Sequence, residues 1–176
     1  DITHARMINE KTAEALQKEV GEGYKGILYG GFMATANGVK LIEYNARLGD
    51  PEAMNVLTIL KTDIIDIFDS IGRGTLSELS IDFDSKATVC KYAVPEGYPD
   101  KPIKGKKIDI TSVSNKDSLF FASVDVEGDH LIEAGSRTVA MVGIANSISQ
   151  AEKIAEEEIS KVCLLYTSDA ADDQAC

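Results

Sequence analysis

Residues 25–35 and 39–45 are two strand-like runs joined at Asn37-Gly38, and the second leads into Arg47-Leu48-Gly49-Asp50-Pro51-Glu52. An Asn-Gly pair between two such runs is a strong hairpin signal, because both residues accept the positive φ that a tight turn demands. The chain is therefore expected to double back here, delivering whatever the second strand carries to the end of a two-stranded ribbon. Asp50 is a good N-cap and Pro51 a good first helical residue, so a helix is expected to start there and run to about Leu60.

Around this feature the remaining periodicities set an α+β order. Residues 4–20 read as a helix with Ile8, Leu16 and Val20 roughly on one face, ended by Gly21 and Gly23. Thr62 is expected to cap a further helix carrying Ile64, Ile65, Phe68 and Ile71, ended by Gly72. The Gly, Ser and Asp content of residues 72–86 marks a connection between two lobes, 1–71 and 87–162. Beyond it, short strands are expected at 87–94, 107–112, 119–126, 130–133 and 138–144. A last helix opens at Ser147, with Gln150 three places on as a capping box. It carries Ile148, Ala151, Ile154, Ala155 and Ile159 on one stripe, while Glu152, Glu156 and Glu157 are expected on a solvated face.

Charge and cysteine usage restrict the function classes. A net charge of −11 disfavours nucleic acid as a partner, since phosphates call for Lys and Arg. It leaves room for a nucleotide ligand, because one metal ion and a few local cations reverse the field in a cleft. No apolar run approaches the roughly 20 residues of a membrane span, so no membrane partner is expected. The start, Asp1-Ile2-Thr3-His4, has neither an initiator Met nor a signal-peptide pattern, and reads as a chain entered midway. Three cysteines in no zinc-like spacing, without a secretory signal, favour a reduced, cytoplasmic protein.

The residues suited to chemistry cluster at the end of the hairpin. In a strand, Glu43 and Asn45 point to the same face, about 7 Å apart. A carboxylate beside an amide oxygen suits magnesium or manganese, which are held by few protein ligands plus substrate phosphates. Val39 and Leu41 are expected on that same face earlier in the strand, packed where Glu43 and Asn45 are polar. Alone, a Glu-x-Asn triplet fits an ordinary solvent-facing pair as well. Arg47 would share the face if the strand persists that far, and its guanidinium fork suits a phosphate or a developing phosphoryl charge. Asp50 is open to a pure capping role, and Glu52 to a favourable charge at the helix N-terminus.

Tyr24-Lys25-Gly26-Ile27-Leu28-Tyr29-Gly30-Gly31-Phe32-Met33, followed by Glu43-Tyr44-Asn45-Ala46-Arg47-Leu48-Gly49-Asp50-Pro51-Glu52, strongly resembles the glycinamide ribonucleotide synthetase family of ATP-grasp ligases. Val94-Pro95-Glu96-Gly97-Tyr98-Pro99, Gly135-Ser136-Arg137 and Val142-Gly143-Ile144 look like elements of that family's carboxyl-terminal domain. The resemblance extends to about residue 162. It implies the C-terminal half of an ATP-grasp lobe at 1–71, and an incomplete, mostly antiparallel C-terminal domain with a closing helix at 87–162. It further implies Glu43 and Asn45 as ligands of Mg2+ or Mn2+ beneath the phosphates of ATP, beside which Arg47, by its own chemistry, is expected as a catalytic residue. The implied reaction joins glycine to 5-phosphoribosylamine through a glycyl phosphate, releasing ADP and phosphate in purine biosynthesis. The ATP clamp with its nucleotide-binding lysine is expected upstream of Asp1, so the chain by itself is expected to be an inactive fragment.

Two departures stand out. Some relatives carry a Gln as a further metal ligand where this chain has Gly31, and the family's usual Phe after the Arg is Leu48. Another ATP-grasp carboxylate–amine ligase and a non-catalytic nucleotide-sensing domain are the alternative functions. Residues 163–176, beginning Cys163-Leu164-Leu165-Tyr166, fit none of the preceding patterns. They resemble a translated sequencing adapter, and are expected to be a non-native tail without structure.

Overall fold

The computed structural model describes residues 1–165. It divides into two compact units, one of residues 1–53 and 60–84, the other of 54–59 and 85 onwards.

The first unit opens with helix α1 (Ile2–Val20), closed by Gly21 at φ 79°, whose N–H bonds to the Gln17 carbonyl. Strands β1 (Tyr29–Thr35) and β2 (Gly38–Asn45) then form an antiparallel hairpin. Residues 25–28 precede β1 rather than forming part of it. Thr35 pairs with Gly38, so Ala36-Asn37 is the centre of the turn and not Asn37-Gly38. Gly38 takes the positive φ of 91° one place later, as in hairpins that close with a bulged glycine.

A β-bulge alters the faces of this ribbon. Phe32 pairs with Leu41 but Gly31 with Glu43, which leaves Ile42 as an extra residue, 62% exposed. Cross-strand partners share a face, so Leu41 and Val39 lie with Phe32, whereas Glu43 and Asn45 lie with Gly31 and Tyr29. The expected common face of Val39, Leu41, Glu43 and Asn45 is therefore corrected: the bulge reverses the alternation between Leu41 and Glu43. The packed face carries buried Val39 and an edge-to-face pair of Phe32 and Tyr44. From there the Tyr44 hydroxyl donates to the Asn9 side chain of α1, at 2.7 Å.

After β2 the chain turns into α2 (Glu52–Leu57), one residue later and shorter than expected, with the Ala53 N–H bonded to the Gly49 carbonyl. Helix α3 (Ile64–Arg73) is capped by Asp63, whose carboxylate accepts from the Ile65 N–H at 2.8 Å, and ends at Gly74. Thr62 and Gly72 do not play these parts: Gly72 is inside the helix, and Thr62 accepts from the Asp82 N–H. Residues 72–86 are more structured than a bare connection. A 3-10 turn at Leu76–Glu78 and a bridge between Leu60 and Phe83 fold residues up to 84 back onto the first unit.

The second unit holds two short sheets, to which β3 (Ala87–Ala93), β4 (Lys107–Asp109), β5 (Leu119–Phe121), β6 (Val124–Glu127) and β7 (His130–Glu133) contribute. The central strand is β8 (Val139–Ala145), in the order β3-β8-β5. The expected single strand over 119–126 is two, because Ala122 and Ser123 turn to donate to the Thr138 and Arg137 carbonyls. Consequently β5 joins β8 while β6 joins β7 in the other sheet. All strand pairs are antiparallel.

Helix α4 (Ile148–Ile159) starts at Ser147, whose hydroxyl accepts from the Gln150 N–H. It packs through Ala151 and Ala155, both fully buried, onto Gly143, where an added Cβ would collide with the Ala151 carbonyl. Ile148, expected on the packed stripe, is exposed. Nor are all the glutamates merely solvated, because the Lys91 ammonium of β3 reaches both Glu152 and Glu156 at 2.5 Å. Their carboxylates hold the Lys91 pKa above its ordinary value. The core joins Val113, Leu119, Val139 and Met141, with Ile159 and Val162 packed against them. Glu133 lies beside it, 1% exposed, with neither carboxylate oxygen hydrogen-bonded among the described residues. Burial pushes its carboxyl above the usual range, against the opposing pull of Lys106.

At the end of the described chain, β9 (Cys163–Leu165) adds to β4 and completes the order β6-β7-β4-β9. The expectation of a structureless tail from 163 is thus corrected for its first three residues. The rest lies outside the described residues. Among the described residues no helix is long and apolar enough to cross a membrane.

Candidate active site

Three short pieces of chain converge on one face of the hairpin. Tyr29 in β1 stands opposite Asn45 in β2, and Gly31 opposite Glu43. The Asn45 amide donates to a Glu43 carboxylate oxygen at 3.2 Å, which puts both side chains on the same face and turned toward each other. Gly31 leaves the ground beside Glu43 open; a Cβ there would touch only the Glu43 side chain and carbonyl, at 3.7 and 3.9 Å. Glu43 is exposed and Asn45 half-buried, so the pair sits at the mouth of the ribbon rather than inside it.

The donor set fits a hard divalent cation. A carboxylate and an amide oxygen two residues apart can approach one ion, with the amide rotated to present its oxygen in place of the N–H it now gives to Glu43. Among the described residues there is no group of three or more His, Cys, Asp or Glu side chains placed to cage a metal. Two protein oxygens with water and phosphate completing the shell is the arrangement Mg2+ commonly takes.

Sequence reasoning left Glu52 open between a charge at a helix terminus and a functional role, and gave Tyr29 no role beyond its place in the family-like string. In the structure the Tyr29 ring and the Glu52 carboxylate both come up beside Gly49. The Glu52 carboxylate holds the Tyr29 phenol pKa above its usual value, with burial and the charge of Glu43 acting in the same direction. Gly49, which is buried, makes the room: a Cβ there would collide with the Glu52 carboxylate and lie 3.0 Å from the Tyr29 ring. Pairing alone would have pointed to Tyr29, had the bulge been foreseen.

Arg47 is placed differently. The strand ends at Asn45, so the alternation that would have put Arg47 beside Glu43 does not continue. Its guanidinium donates to the Leu48 carbonyl at 2.7 Å and lines a cavity of about 580 Å³ with Tyr24, Lys25, Phe68 and Ile71. Lys25 contributes a second cation to that cavity, its ammonium bonded to the Gly72 carbonyl at 3.2 Å. The structure therefore joins Glu43, Asn45, Tyr29 and Glu52 in one cluster and sets Arg47 with Lys25 in another.

Residues 2–53 match the family described as Phosphoribosylglycinamide synthetase, ATP-grasp (A) domain, and residues 88–169 its C domain. The second match runs past Val162, the point at which the resemblance had been expected to stop. A phosphoribosylamine–glycine ligase of Methanocaldococcus jannaschii is 51% identical over 160 residues, covering 89% of this chain and 36% of the relative. One of Methanococcus maripaludis is 49% identical over 173 residues, covering 96% and 39%. The crystal structure of phosphoribosylamine–glycine ligase from Thermotoga maritima superposes with a TM-score of 0.79 at 29% identity, over 93% of this chain and 40% of that one. The chain thus spans less than two-fifths of the length of the curated relatives named here.

Proposed function

This chain belongs to the phosphoribosylglycinamide synthetase family, and from that premise we propose that it forms the metal-binding side of an ATP-dependent, cytoplasmic carbon–nitrogen ligase. The reaction joins glycine to 5-phosphoribosylamine through a glycyl phosphate, giving glycinamide ribonucleotide, ADP and phosphate in purine biosynthesis. The observation that carries the reading is the pairing of Glu43 and Asn45 on the open face of the hairpin, 3.2 Å apart, where β2 gives way to the Gly49–Glu52 turn.

Glycine's carboxylate is a poor electrophile, and transfer of a phosphoryl group turns its oxygen into a leaving group. Glu43 and Asn45 would hold Mg2+ or Mn2+ on the triphosphate side of that transfer. The ion, when bound, neutralises phosphate charge. Glu43 supplies a formal negative charge and Asn45 a neutral oxygen, so the pair binds a cation through the nucleotide's own phosphates more than by itself. Arg47, beside Lys25, offers an always-charged fork to an anion entering the neighbouring cavity. We assign to that fork the charge that develops on the phosphoryl group.

The test is made on the complete ligase that contains this segment. ADP release should require both glycine and 5-phosphoribosylamine. Glu43→Gln should lower that rate by at least about 100-fold, the upper end of what loss of an outer-shell partner costs. The unfolding midpoint should stay within a degree or so, because Glu43 is exposed. Unchanged turnover of Glu43→Gln at saturating magnesium would defeat the reading.

A further inference from the structure

We propose that Tyr24 is a positioning residue for Arg47, a strut whose hydroxyl holds the backbone from which the guanidinium leaves. The inference rests on the reading of Arg47 as the cation that meets the phosphoryl charge.

The ladder between β1 and β2 ends with Tyr29 opposite Asn45, so strand pairing stops one residue short of Ala46 and two short of Arg47. At that point the Tyr24 phenol takes over. Its oxygen lies 3.1 Å from the Ala46 carbonyl oxygen and 3.1 Å from that of Ile27, with its proton shared between the two acceptors. A peptide unit is planar, so a carbonyl held at Ala46 also sets the direction of the Arg47 N–H, and with it the start of the Arg47 side chain.

Gly26 gives the strut its seat. A Cβ there would lie 2.9 Å from the Tyr24 hydroxyl oxygen and 3.0 Å from the ring carbon that bears it. Gly26 does not take the positive φ of a turn glycine, so the folded-back ring, rather than the backbone, calls for its lack of a side chain. The next residue anchors the same segment elsewhere, since the Lys25 ammonium donates to the Gly72 carbonyl of α3 at 3.2 Å. Tyr24 and Lys25 thereby tie two walls of the cavity that Arg47 lines, one to the chain after β2 and the other to α3.

Tyr24 is 42% exposed, and a hydrogen bond so placed adds little to stability. Its value lies in aim, because a misplacement of 1 Å at a reacting group costs about 100-fold in rate.

The experiment uses the complete ligase with Tyr24→Phe, Gly26→Ala, Arg47→Ala and the Tyr24→Phe/Arg47→Ala pair. Tyr24→Phe should lower kcat about tenfold, short of the cost of a full 1 Å misplacement. The KM values for ATP, glycine and 5-phosphoribosylamine should stay within about twofold, because the charge that Arg47 meets develops only in transit. Gly26→Ala keeps the hydroxyl but displaces the ring, and should give the same split between kcat and KM. Both should unfold within about 2 °C of the parent, and Gly26→Ala carries the test if Tyr24→Phe does not. In the Arg47→Ala background, Tyr24→Phe should cost less than about twofold more, since the group it aims is gone. Equal costs in the two backgrounds would mark a merely structural tyrosine and overturn the proposal. So would a parental kcat in Tyr24→Phe while Arg47→Ala lowers it. If Arg47→Ala itself leaves kcat unmoved, the reading of Arg47 fails first, and the strut with it.

Discussion

The hairpin β1–β2 and the strand β8 are both seven- or eight-residue strands rich in apolar side chains, yet they are built to opposite ends. Val139, Ala140, Met141 and Val142 of β8 are fully buried in succession, covered by strands on either side and by α4. In β2 only Val39 is buried, Ile42 stands out of the ribbon, and Glu43 is exposed. A continuous apolar run marks a strand enclosed on both faces, whereas the hairpin divides its faces between packing and chemistry. The difference teaches where each kind of damage will show. Changes in β8 should cost stability, and changes at the end of β2 should cost chemistry.

The comparison can be broken by unfolding measurements on variants of the 176-residue chain. Met141→Ala removes a fully buried side chain from the core cluster and should lower stability by about 2–5 kcal/mol in urea titration. A loss under about 1 kcal/mol would mean that β8 is not the keystone of its unit. Gly143→Ala forces a methyl into the Ala151 carbonyl and should cost about 1–3 kcal/mol by pushing α4 off the sheet.

Glu133→Gln should do the reverse, with a pH signature. Burial raises the Glu133 pKa, so its folded form favours the protonated acid. Its contribution is complete below the unfolded pKa and is lost as pH rises through the folded one. The variant escapes that loss. It should match the parent in acid and exceed it by roughly 1 kcal/mol at neutral pH, read from thermal unfolding across a pH series with Lys106 and Glu96 left intact. An advantage that grows toward acid would contradict the account. The smallest effect belongs to Asn45→Ala, expected within about 0.5 kcal/mol of the parent because its side chain bonds to an exposed partner. A larger loss would show that the end of β2 does structural work, and would blur the contrast.

Much of this was legible in the chain. Ser147 and Gln150 announced α4, alternating and continuous apolar runs announced most strands, and the string from Glu43 to Glu52 pointed to the candidate site. What was hidden is long-range. The bulge at Ile42 has no local signal, since Lys40-Leu41-Ile42-Glu43 reads as ordinary strand, and only pairing with β1 shows the skipped residue. Tyr29 was hidden for the same reason: counted from the turn without the bulge, it falls opposite Tyr44 instead of Asn45. The break at Ala122-Ser123 was likewise decided by two carbonyls about fifteen residues ahead. The burial of Glu133 with no hydrogen bond to its carboxylate among the described residues runs against expectation, and no pattern in β7 foretold it.

The spare residue at Ile42 also bears on how this region can change length. In a regular ribbon, losing one residue inverts every side chain beyond the loss. Here the chain already carries one more residue than the pairing consumes, held outside the ladder. A version of the chain lacking Ile42 would still set Glu43 against Gly31 and Asn45 against Tyr29, with a flatter ribbon. One residue lost or gained between Glu43 and Asn45 would instead separate the pair across the sheet. Slack on one side of Glu43 and none on the other makes the ribbon forgiving toward its turn and strict toward its open end.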